Sequence, residues 1–274
     1  MPKRVQSPSS INIYKQCPRR YYYQYIVKHP TKPSIHTLRG SIVHTALEKF
    51  YEVNTSSLTT ENYKPTLAKH LRTEFMHAWN AQRKDLQTLG LVSEQLQFYH
   101  DESMGMLANW LSQFLKKMDH DLKSMPLLDA FAKNTPKEIE SQYRSKELSV
   151  QGYIDCIHVE GEDIILMDYK TSKNSELKPE YRLQLAIYAA LYKEKHNRLP
   201  TKLGIWFLKD KPVFLEVSEQ LIKDALFEIE QIHFNTESQT ITDYKKHITP
   251  LCKWNGGQCD FYDVCQPHGS NGKR

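Results

Sequence analysis

The sequence predicts an α/β fold in which a central mixed β-sheet is flanked by helices. The first sign is a predicted hairpin, with strands at residues 150–159 and 164–170 and a turn at 160–162. The second strand contains the unbroken apolar run Ile164-Ile165-Leu166-Met167, which is typical of a strand covered on both faces. A further sign, besides the hairpin and its apolar run, is a helix predicted at 179–196, directly after this hairpin.

The remaining elements are assigned from apolar spacing and from helix-start signals. Ser7-Pro8-Ser9-Ser10 is typical of a helix start with a serine N-cap, and Pro18 should bend this helix or end its first half. Further elements are expected, in chain order, as helices at 42–51, 67–83 and 93–122, a strand at 137–144, a hairpin at 203–208 and 213–217, and a helix at 219–234.

Composition is that of an ordinary globular protein, with 39% apolar and 25% charged residues in 274. No apolar run approaches the length of a membrane span and no signal peptide opens the chain. We therefore expect an intracellular, cytoplasmic protein that can associate with the nucleoid. Five cysteines in a chain of this size do not indicate a disulfide framework. The net charge is only +5, but eight basic residues precede the first acidic residue, Glu48.

Three charged side chains meet on the predicted hairpin. Asp168 follows the apolar run directly and Lys170 comes two residues later, so strand alternation points both to the same side. Asp155 lies on the neighbouring strand and can meet them across the ladder. Two carboxylates and one ammonium at the end of a buried hairpin are costly unless they are paired or bound to a cation. A partly exposed ion pair is the simpler of these two interpretations.

The N-terminal helix mixes aromatic and basic residues. Its tyrosines are Tyr14, Tyr21, Tyr22, Tyr23 and Tyr25. Such mixing suits a track for a DNA backbone with aromatic platforms for the bases. A tyrosine-rich core helix with a solvated basic face explains the same pattern, and we expect both to contribute.

Four of the five cysteines form a pattern that is typical of a metal site. Cys252, Cys259 and Cys265 lie within fourteen residues near the C-terminus, with glycines between them, and Cys17 supplies a fourth thiolate. Four thiolates can hold zinc or a [4Fe–4S] cluster equally well by count. Cys156 lies on the predicted hairpin and is most simply a buried strand residue.

The order and spacing of the polar residues resemble the PD-(D/E)XK nuclease superfamily, in particular its RecB-like exonuclease branch, which includes CRISPR-associated exonucleases. The residues that match are Gly152-Tyr153-Ile154-Asp155, then Asp168-Tyr169-Lys170, then Gln184-Leu185-Ala186-Ile187-Tyr188. The resemblance implies a restriction-endonuclease-like core. It also implies that Lys170, Asp155 and Asp168 are catalytic, and that Gln184 and Tyr188 hold DNA and the catalytic lysine.

The resemblance further implies a site for Mg²⁺ or Mn²⁺. Its ligands would be His44, which ends a Gly-x-x-x-His pattern, together with Asp155, Asp168 and the carbonyl of Tyr169. Glu140, on the strand before the hairpin, is given a supporting role.

An iron–sulfur staple is also implied by the resemblance. Cys17, Cys252, Cys259 and Cys265 would hold one [4Fe–4S] cluster, although six residues separate Cys252 from Cys259, more than in the family's commoner tail. The whole chain, 1–274, would be a single nuclease domain. Within it we expect an iron–sulfur subdomain at 1–35 and 247–268, a catalytic core at 36–54 and 137–235, and a helical lobe, inserted in the core, at 55–130.

The function expected from the resemblance is a metal-dependent DNA nuclease that acts on single strands or ends, in DNA repair and recombination or in CRISPR adaptation. No Walker-type phosphate loop occurs, so a partner would do any unwinding. Besides DNA, the expected partners are a helicase or CRISPR adaptation proteins. Two alternatives stay open: a non-catalytic iron–sulfur protein for DNA binding or assembly, and an RNA nuclease.

Overall fold

The computed structural model describes residues 3–173, 175–255 and 257–267. The helices are α1 (Pro8–Gln16), α2 (Pro18–Tyr21), α3 (Ile35–Phe50), α4 (Tyr63–Ala81), α5 (Arg83–Thr88), α6 (Ser93–Asp121), α7 (Leu127–Asn134), α8 (Pro179–His196), α9 (Glu219–Asn235) and α10 (Tyr262–Cys265). The strands are β1 (Glu138–Ser145), β2 (Val150–Glu160), β3 (Asp163–Lys170), β4 (Lys202–Phe207), β5 (Pro212–Glu216), β6 (Lys253–Trp254) and β7 (Gly257–Gln258).

Strands β1 to β5 form one sheet in the order β1-β2-β3-β4-β5. The β2–β3 and β4–β5 pairs are antiparallel, whereas β3 and β4 are parallel. Parallel neighbours need a crossover connection, and α8 supplies it between β3 and β4. The predicted α/β fold with a central mixed sheet is therefore confirmed.

Helix α3 begins at Ile35, seven residues before the predicted start at residue 42. Ser34 caps it, since the Ser34 hydroxyl accepts a hydrogen bond from the Thr37 amide and the Thr37 hydroxyl accepts one from the Ser34 amide. This reciprocal capping box sets the start. Gly40 lies inside the helix and does not end it, because an interior glycine costs only about 1 kcal/mol of helix stability. The predicted start at residue 42 is therefore wrong.

Proline determines the other early boundary as expected. Helix α1 ends at Gln16, and Pro18 begins α2 after an extended Cys17. A π-helical turn, Tyr22–Ile26, follows. Helix α7 was not predicted from the sequence.

The chain divides into two compact units. Unit 1 comprises residues 1–32, 144–152 and 219–274, and unit 2 comprises residues 33–143 and 153–218. Unit 1 thus includes α9, which the sequence prediction had assigned to the catalytic core. An amphipathic pattern shows that a helix buries one face but not which partner covers it. Residues 1, 2, 256 and 268 of the predicted iron–sulfur subdomain lie outside the described residues.

The core of unit 2 lies between the helices and one face of the sheet. Phe50 of α3 contacts the rings of Trp110 and Phe114 at centroid distances of 4.9 and 5.1 Å. Met167 and Tyr169 of β3 belong to the same buried cluster. Since side chains alternate along a strand, Asp168 and Lys170 lie on the opposite face of β3. Those two residues therefore stand apart from the apolar cluster.

Unit 1 has a core rich in tyrosine. The ring of Tyr21 stacks on that of Tyr244 at 6.2 Å, and the ring of Tyr23 lies 5.6 Å from that of Phe261. Tyr21 and Tyr23 are buried, so they are core residues and not platforms for bases. Tyr14, Tyr22 and Tyr25 are half-buried. Among the described residues, none of the helices has the length and apolar character to cross a membrane.

Candidate active site

The β2–β3 hairpin brings two aspartates side by side. Cys156 pairs with Met167 in the ladder, and Asp155 and Asp168 are the next residues on the two strands. Both side chains are buried. The Tyr169 amide donates a hydrogen bond of 2.5 Å to Asp155 Oδ2, which fixes this carboxylate against β3. The predicted meeting of the two carboxylates across the ladder is thus found in the structure.

Helix α8 places a glutamine between the charged groups of β3. Gln184 Nε2 donates to Asp168 Oδ1 at 2.8 Å and to the Tyr188 hydroxyl at 2.7 Å. Lys170 Nζ donates to Gln184 Oε1 at 3.0 Å and lies 2.6 Å from Asp168 Oδ2. One amide therefore contacts Asp168, Lys170 and Tyr188 at once and fixes their relative positions.

Burial and ion pairing act in opposite directions on Asp168 and Lys170. Burial raises the pKa of Asp168 to about 6, against the opposing effect of Lys170, and the nearby Asp155 carboxylate adds to the rise. Burial works against the ammonium form of Lys170, but the Asp168 carboxylate outweighs it and the pKa of Lys170 is raised. The lysine is consequently charged at neutral pH.

A second group of ligand-type atoms lies around His44 of α3. His44 Nδ1 is 3.4 Å from Glu140 Oε1 and 3.5 Å from Asp155 Oδ1. Among the described residues, these three side chains offer nitrogen and oxygen atoms that all lie within 4.8 Å of one another. On the other side of the ring, His44 Nε2 lies 3.1 Å from the carbonyl oxygen of Tyr169. Of the predicted ligands, His44, Asp155 and Tyr169 are in mutual contact, while Asp168 contacts Lys170.

The charge state of His44 follows from these neighbours. Burial disfavours the imidazolium, but the carboxylates of Asp155 and Glu140 favour it more strongly and raise the pKa of His44 to about 10. The group thus combines two carboxylates with a histidine ring that is a positively charged imidazolium at neutral pH, with a proton on each nitrogen. A divalent cation would have to displace that proton to bind the ring nitrogen.

Glu140 reaches this group through an unusual backbone conformation. Its φ angle is +46°, in the left-handed region that non-glycine residues adopt at some cost. The sequence carries no signal for this φ angle, and a supporting role was all that could be inferred.

Tyr181 is a further residue of this site that the sequence reasoning did not identify. Its ring centroid lies 5.4 Å from Lys170 Nζ, within the range of a cation–π contact. Tyr181 precedes Gln184 by three residues on α8, so it lies on the same helix face. That spacing was the signal that could have identified it.

Comparison with known proteins identifies the family. A sequence model described as the PD-(D/E)XK nuclease superfamily matches residues 6–266. This chain belongs to the PD-(D/E)XK nuclease superfamily. The resemblance inferred from the order of Asp155, Asp168, Lys170 and Gln184 is therefore confirmed.

Curated relatives of this chain match only in part. An ATP-dependent helicase/nuclease subunit of Clostridium botulinum (strain Okra / Type B1) is 33% identical over 102 residues, which is 36% of this chain and 7% of that protein. The protein of the same name from Thermoanaerobacter sp. (strain X514) is 34% identical over 58 residues, 19% of this chain and 5% of that protein. The chain thus spans a small fraction of the length of the relatives that it matches.

A solved structure matches over the full length. A crystal structure of a candidate exonuclease from Eubacterium rectale aligns with a TM-score of 0.55 and 12% identity, covering 100% of this chain and 90% of that chain. At this identity the likeness shows a shared fold.

The four predicted cluster cysteines all lie in unit 1. Cys17, Cys252, Cys259 and Cys265 line one small cavity of about 30 Å³. Burial raises the pKa of the Cys259 and Cys265 thiols above the ordinary value.

The fifth cysteine belongs to unit 2. Cys156 is buried on β2, its Sγ lies 3.4 Å from the Tyr169 hydroxyl, and burial raises its pKa to about 12. It is placed as the sequence predicted, inside a strand. An inert, protonated thiol is expected there.

Proposed function

We propose that this protein is a Mg²⁺- or Mn²⁺-dependent nuclease that hydrolyses phosphodiester bonds of single-stranded DNA or of DNA ends. The observation that supports the proposal most directly is the contact network of Lys170, Asp168 and Gln184 beside the His44–Glu140–Asp155 group. A charged lysine and a group of carboxylates with one imidazole are the parts that metal-dependent phosphodiester hydrolysis requires. The assignment of the chain to the PD-(D/E)XK nuclease superfamily also favours this chemistry.

The donor set of the site suits the proposed ions. Carboxylate oxygens with one imidazole nitrogen are ligands that Mg²⁺ and Mn²⁺ accept. His44 Nδ1, Asp155 and Glu140 would hold the ion. Asp168 is a further ligand inferred from the sequence. The Tyr169 carbonyl, also inferred as a ligand, contacts the opposite nitrogen of the His44 ring and would orient that ring instead. When bound, the ion would activate a water molecule and polarise the phosphate.

Side chains around the ion would supply the other catalytic functions. Lys170 would orient the attacking water and offset the charge that develops on the phosphate oxygens. Gln184 and Asp168 hold the Lys170 ammonium from two sides, so little reorganisation is needed when that charge appears. Burial raises the pKa of the Tyr188 hydroxyl well above its ordinary value. Tyr188 therefore stays neutral and would serve to position Gln184.

Cleavage of end-labelled substrates tests the proposal. The full chain should cut a labelled single-stranded DNA oligonucleotide in Mg²⁺ or Mn²⁺, and Asp155→Asn, which keeps the shape of the side chain, should not. Labels at the 5′ and 3′ ends report polarity and separate exonuclease from endonuclease action. Binding of DNA without cleavage under any metal condition would point to the non-catalytic DNA-binding protein. Cleavage of RNA but not of DNA would point to the RNA nuclease.

A partner helicase is the second part of the proposal. The curated relatives are ATP-dependent helicase/nuclease subunits, and this favours a helicase as the source of single strands over a role in CRISPR adaptation. The purified chain should therefore cut a blunt duplex much more slowly than a single strand. Equal rates on the two substrates would contradict dependence on a helicase.

The cysteine cavity supports the proposed cluster. All four cysteines line the same cavity in unit 1. Four thiolates that meet in one place can hold a [4Fe–4S] cluster or a zinc ion. The resemblance to the RecB-like branch favours the cluster. We propose that Cys17, Cys252, Cys259 and Cys265 hold a [4Fe–4S] cluster that joins both ends of the chain within unit 1.

A further inference from the structure

A cavity of about 410 Å³ opens directly beside Lys170 in unit 2. Its wall is built from the start of α3, the first turns of α6, residues 171–173 after β3, and Tyr181 of α8. Lys170 is thus shared between the candidate active site and this cavity. A substrate that enters the active site can extend into the cavity without leaving the surface of unit 2.

The cavity carries an excess of positive charge. Arg39, Lys173 and Lys209 line it together with Lys170. Among the described lining residues, Glu102 is the sole carboxylate, and it forms ion pairs with Arg39 and Lys209. Three cations besides Lys170 thus face one anion. A charge balance of this kind suits a phosphate group and disfavours a neutral or cationic ligand.

Arg39 is held rigidly at the base of this charged wall. Only 4% of its surface is exposed, and its Nη2 donates to the carbonyl of Thr171 at 3.2 Å. Its guanidinium carbon lies 5.5 Å from the centroid of the Tyr99 ring. Arg39 Nε has no hydrogen-bond partner among the described residues, although it is buried. A buried donor without a partner is costly, and an acceptor on a ligand would relieve that cost.

The same cavity has aromatic walls. Phe98, on the second turn of α6, is 55% exposed, and its ring lies 5.3 Å from that of Tyr99. Tyr181 lines the side nearest Lys170. An exposed phenylalanine inside a cationic cavity is unfavourable for a surface that only contacts water. Exposed aromatic rings beside basic side chains are, however, the arrangement that binds single-stranded nucleic acid, where bases stack and cations contact phosphates.

We propose that this cavity binds one unpaired nucleotide of the strand being cut, adjacent to the scissile phosphodiester. The base lies against Phe98, and the phosphate faces Lys173 and Lys209. The proposal rests on the proposed nuclease function and adds the reason for its preference for single strands. Inside a duplex, both faces of each base are covered by stacked neighbours, so an internal paired nucleotide cannot present a face to Phe98. The cavity therefore selects unpaired nucleotides.

Binding measurements with the full chain test this directly. Asp168→Asn is used as the parent to prevent cleavage, and fluorescence anisotropy reports binding to a labelled single strand and to a blunt duplex. Adding Phe98→Ala should weaken single-strand binding roughly tenfold, as expected for one lost base stack, and should leave duplex binding unchanged. Phe214→Ala is the matched control, since Phe214 is similarly exposed at 51% but lies on β5, outside the cavity. It should change neither.

An abasic oligonucleotide identifies the contact as a base contact. A single strand that lacks the base at the cavity position, found by moving one abasic residue along the oligonucleotide, should bind the parent about as weakly as Phe98→Ala binds the intact strand. The Phe98→Ala variant should bind this abasic strand and the intact strand with the same affinity, because the stacking contact is already lost. If every abasic position weakens the parent and the variant equally, the stacking contact with Phe98 is wrong.

The charged wall is tested by salt dependence. Lys173→Gln should lower the slope of log affinity against log salt for single strands by about 0.7, the value for one phosphate contact. Lys69→Gln, which changes an exposed lysine on α4, should leave the slope unchanged. Equal slopes for Lys173→Gln and the parent would show that Lys173 contacts no phosphate of the bound strand.

The outcomes separate this proposal from the nuclease proposal. If Phe98→Ala and Phe214→Ala bind single strands equally while the wild-type chain cuts DNA, the cavity proposal fails and the nuclease stands. If the wild-type chain cuts no nucleic acid but binds single strands in a Phe98-dependent way, the cavity stands and the nuclease fails.

Discussion

Lys170 Nζ donates a hydrogen bond of 3.0 Å to Gln184 Oε1, which joins strand β3 to helix α8 at the centre of the candidate site. The same glutamine donates through Nε2 to Asp168, so the lysine and the carboxylate are positioned by one side chain. A primary amide is suited to this task because it offers an acceptor and donors in one plane.

Loss of the Lys170 ammonium should stop cleavage. Lys170→Ala is expected to lower the cleavage rate roughly 100- to 1,000-fold, the usual cost of removing one charge-stabilising group. Single-strand binding should fall far less, since Arg39, Lys173 and Lys209 also line the proposed binding cavity. Lys202→Ala is the control, because Lys202 lies on β4 and pairs with Asp163. Cleavage by the Lys170→Ala protein at the wild-type rate would show that Lys170 has no catalytic role.

Gln184 should act as a positioning residue. Gln184→Met keeps the length of the side chain but loses its hydrogen bonds to Asp168, Lys170 and Tyr188. We expect kcat to fall up to about 100-fold with little change in KM, because misplacement of a catalytic group costs rate more than binding. Tyr188→Phe removes only the hydroxyl and should have a smaller effect. A rise in KM at constant kcat would show that Gln184 binds substrate instead.

Metal binding should release a proton from His44. With its pKa raised to about 10 in the metal-free site, His44 is protonated at pH 8, whereas a metal ligand must be neutral. Affinity for Mn²⁺ should therefore increase with pH up to about 10 and level off above it. Calorimetry at pH 8 in two buffers of different ionisation enthalpy should report about one proton released per ion. His44→Ala should release fewer protons, and an equal number would exclude His44 as a ligand.

Activity should depend on a divalent ion. Cleavage is expected to vanish in EDTA and to return on addition of Mg²⁺ or Mn²⁺. Mn²⁺ should support at least as much activity as Mg²⁺, because an imidazole ligand favours it. Full activity in EDTA would contradict the assigned role of the His44–Glu140–Asp155 group.

Four of the five cysteines should bind iron. Anaerobically purified protein should be brown with about four irons per chain. Cys17→Ala and Cys259→Ala should lose the colour and lower Tm, since a link across a very long loop is lost. Cys156→Ala is the control and should keep both. Stoichiometric zinc without iron would show that the four cysteines hold a zinc ion and not a cluster. Loss of colour in Cys156→Ala alone would show that the proposed ligand set is wrong.

Much of the local structure could be predicted from the sequence. Strands β2 and β3 and helices α6 and α8 lie within one or two residues of their predicted bounds. Their patterns are local, since an apolar run, a 3.6-residue spacing or a proline acts on its own segment. The order of Asp155, Asp168, Lys170 and Gln184 was likewise sufficient to identify the superfamily, because the spacing of these residues reflects the strands and the helix that carry them.

The tertiary structure decided what depends on distant segments. The left-handed backbone of Glu140 brings its carboxylate to His44, and no pattern around residue 140 encodes that φ angle. Arg39, Glu102 and Lys209 meet in one cavity although up to 107 residues separate the members of an ion pair. Local sequence determines the faces of a helix or strand, but packing determines which faces meet. The sequence by itself therefore determined most of the elements and the candidate catalytic set. Only the tertiary structure decided that Glu140 joins His44 and Asp155, and that a charged cavity lies beside Lys170, because both depend on how distant segments pack.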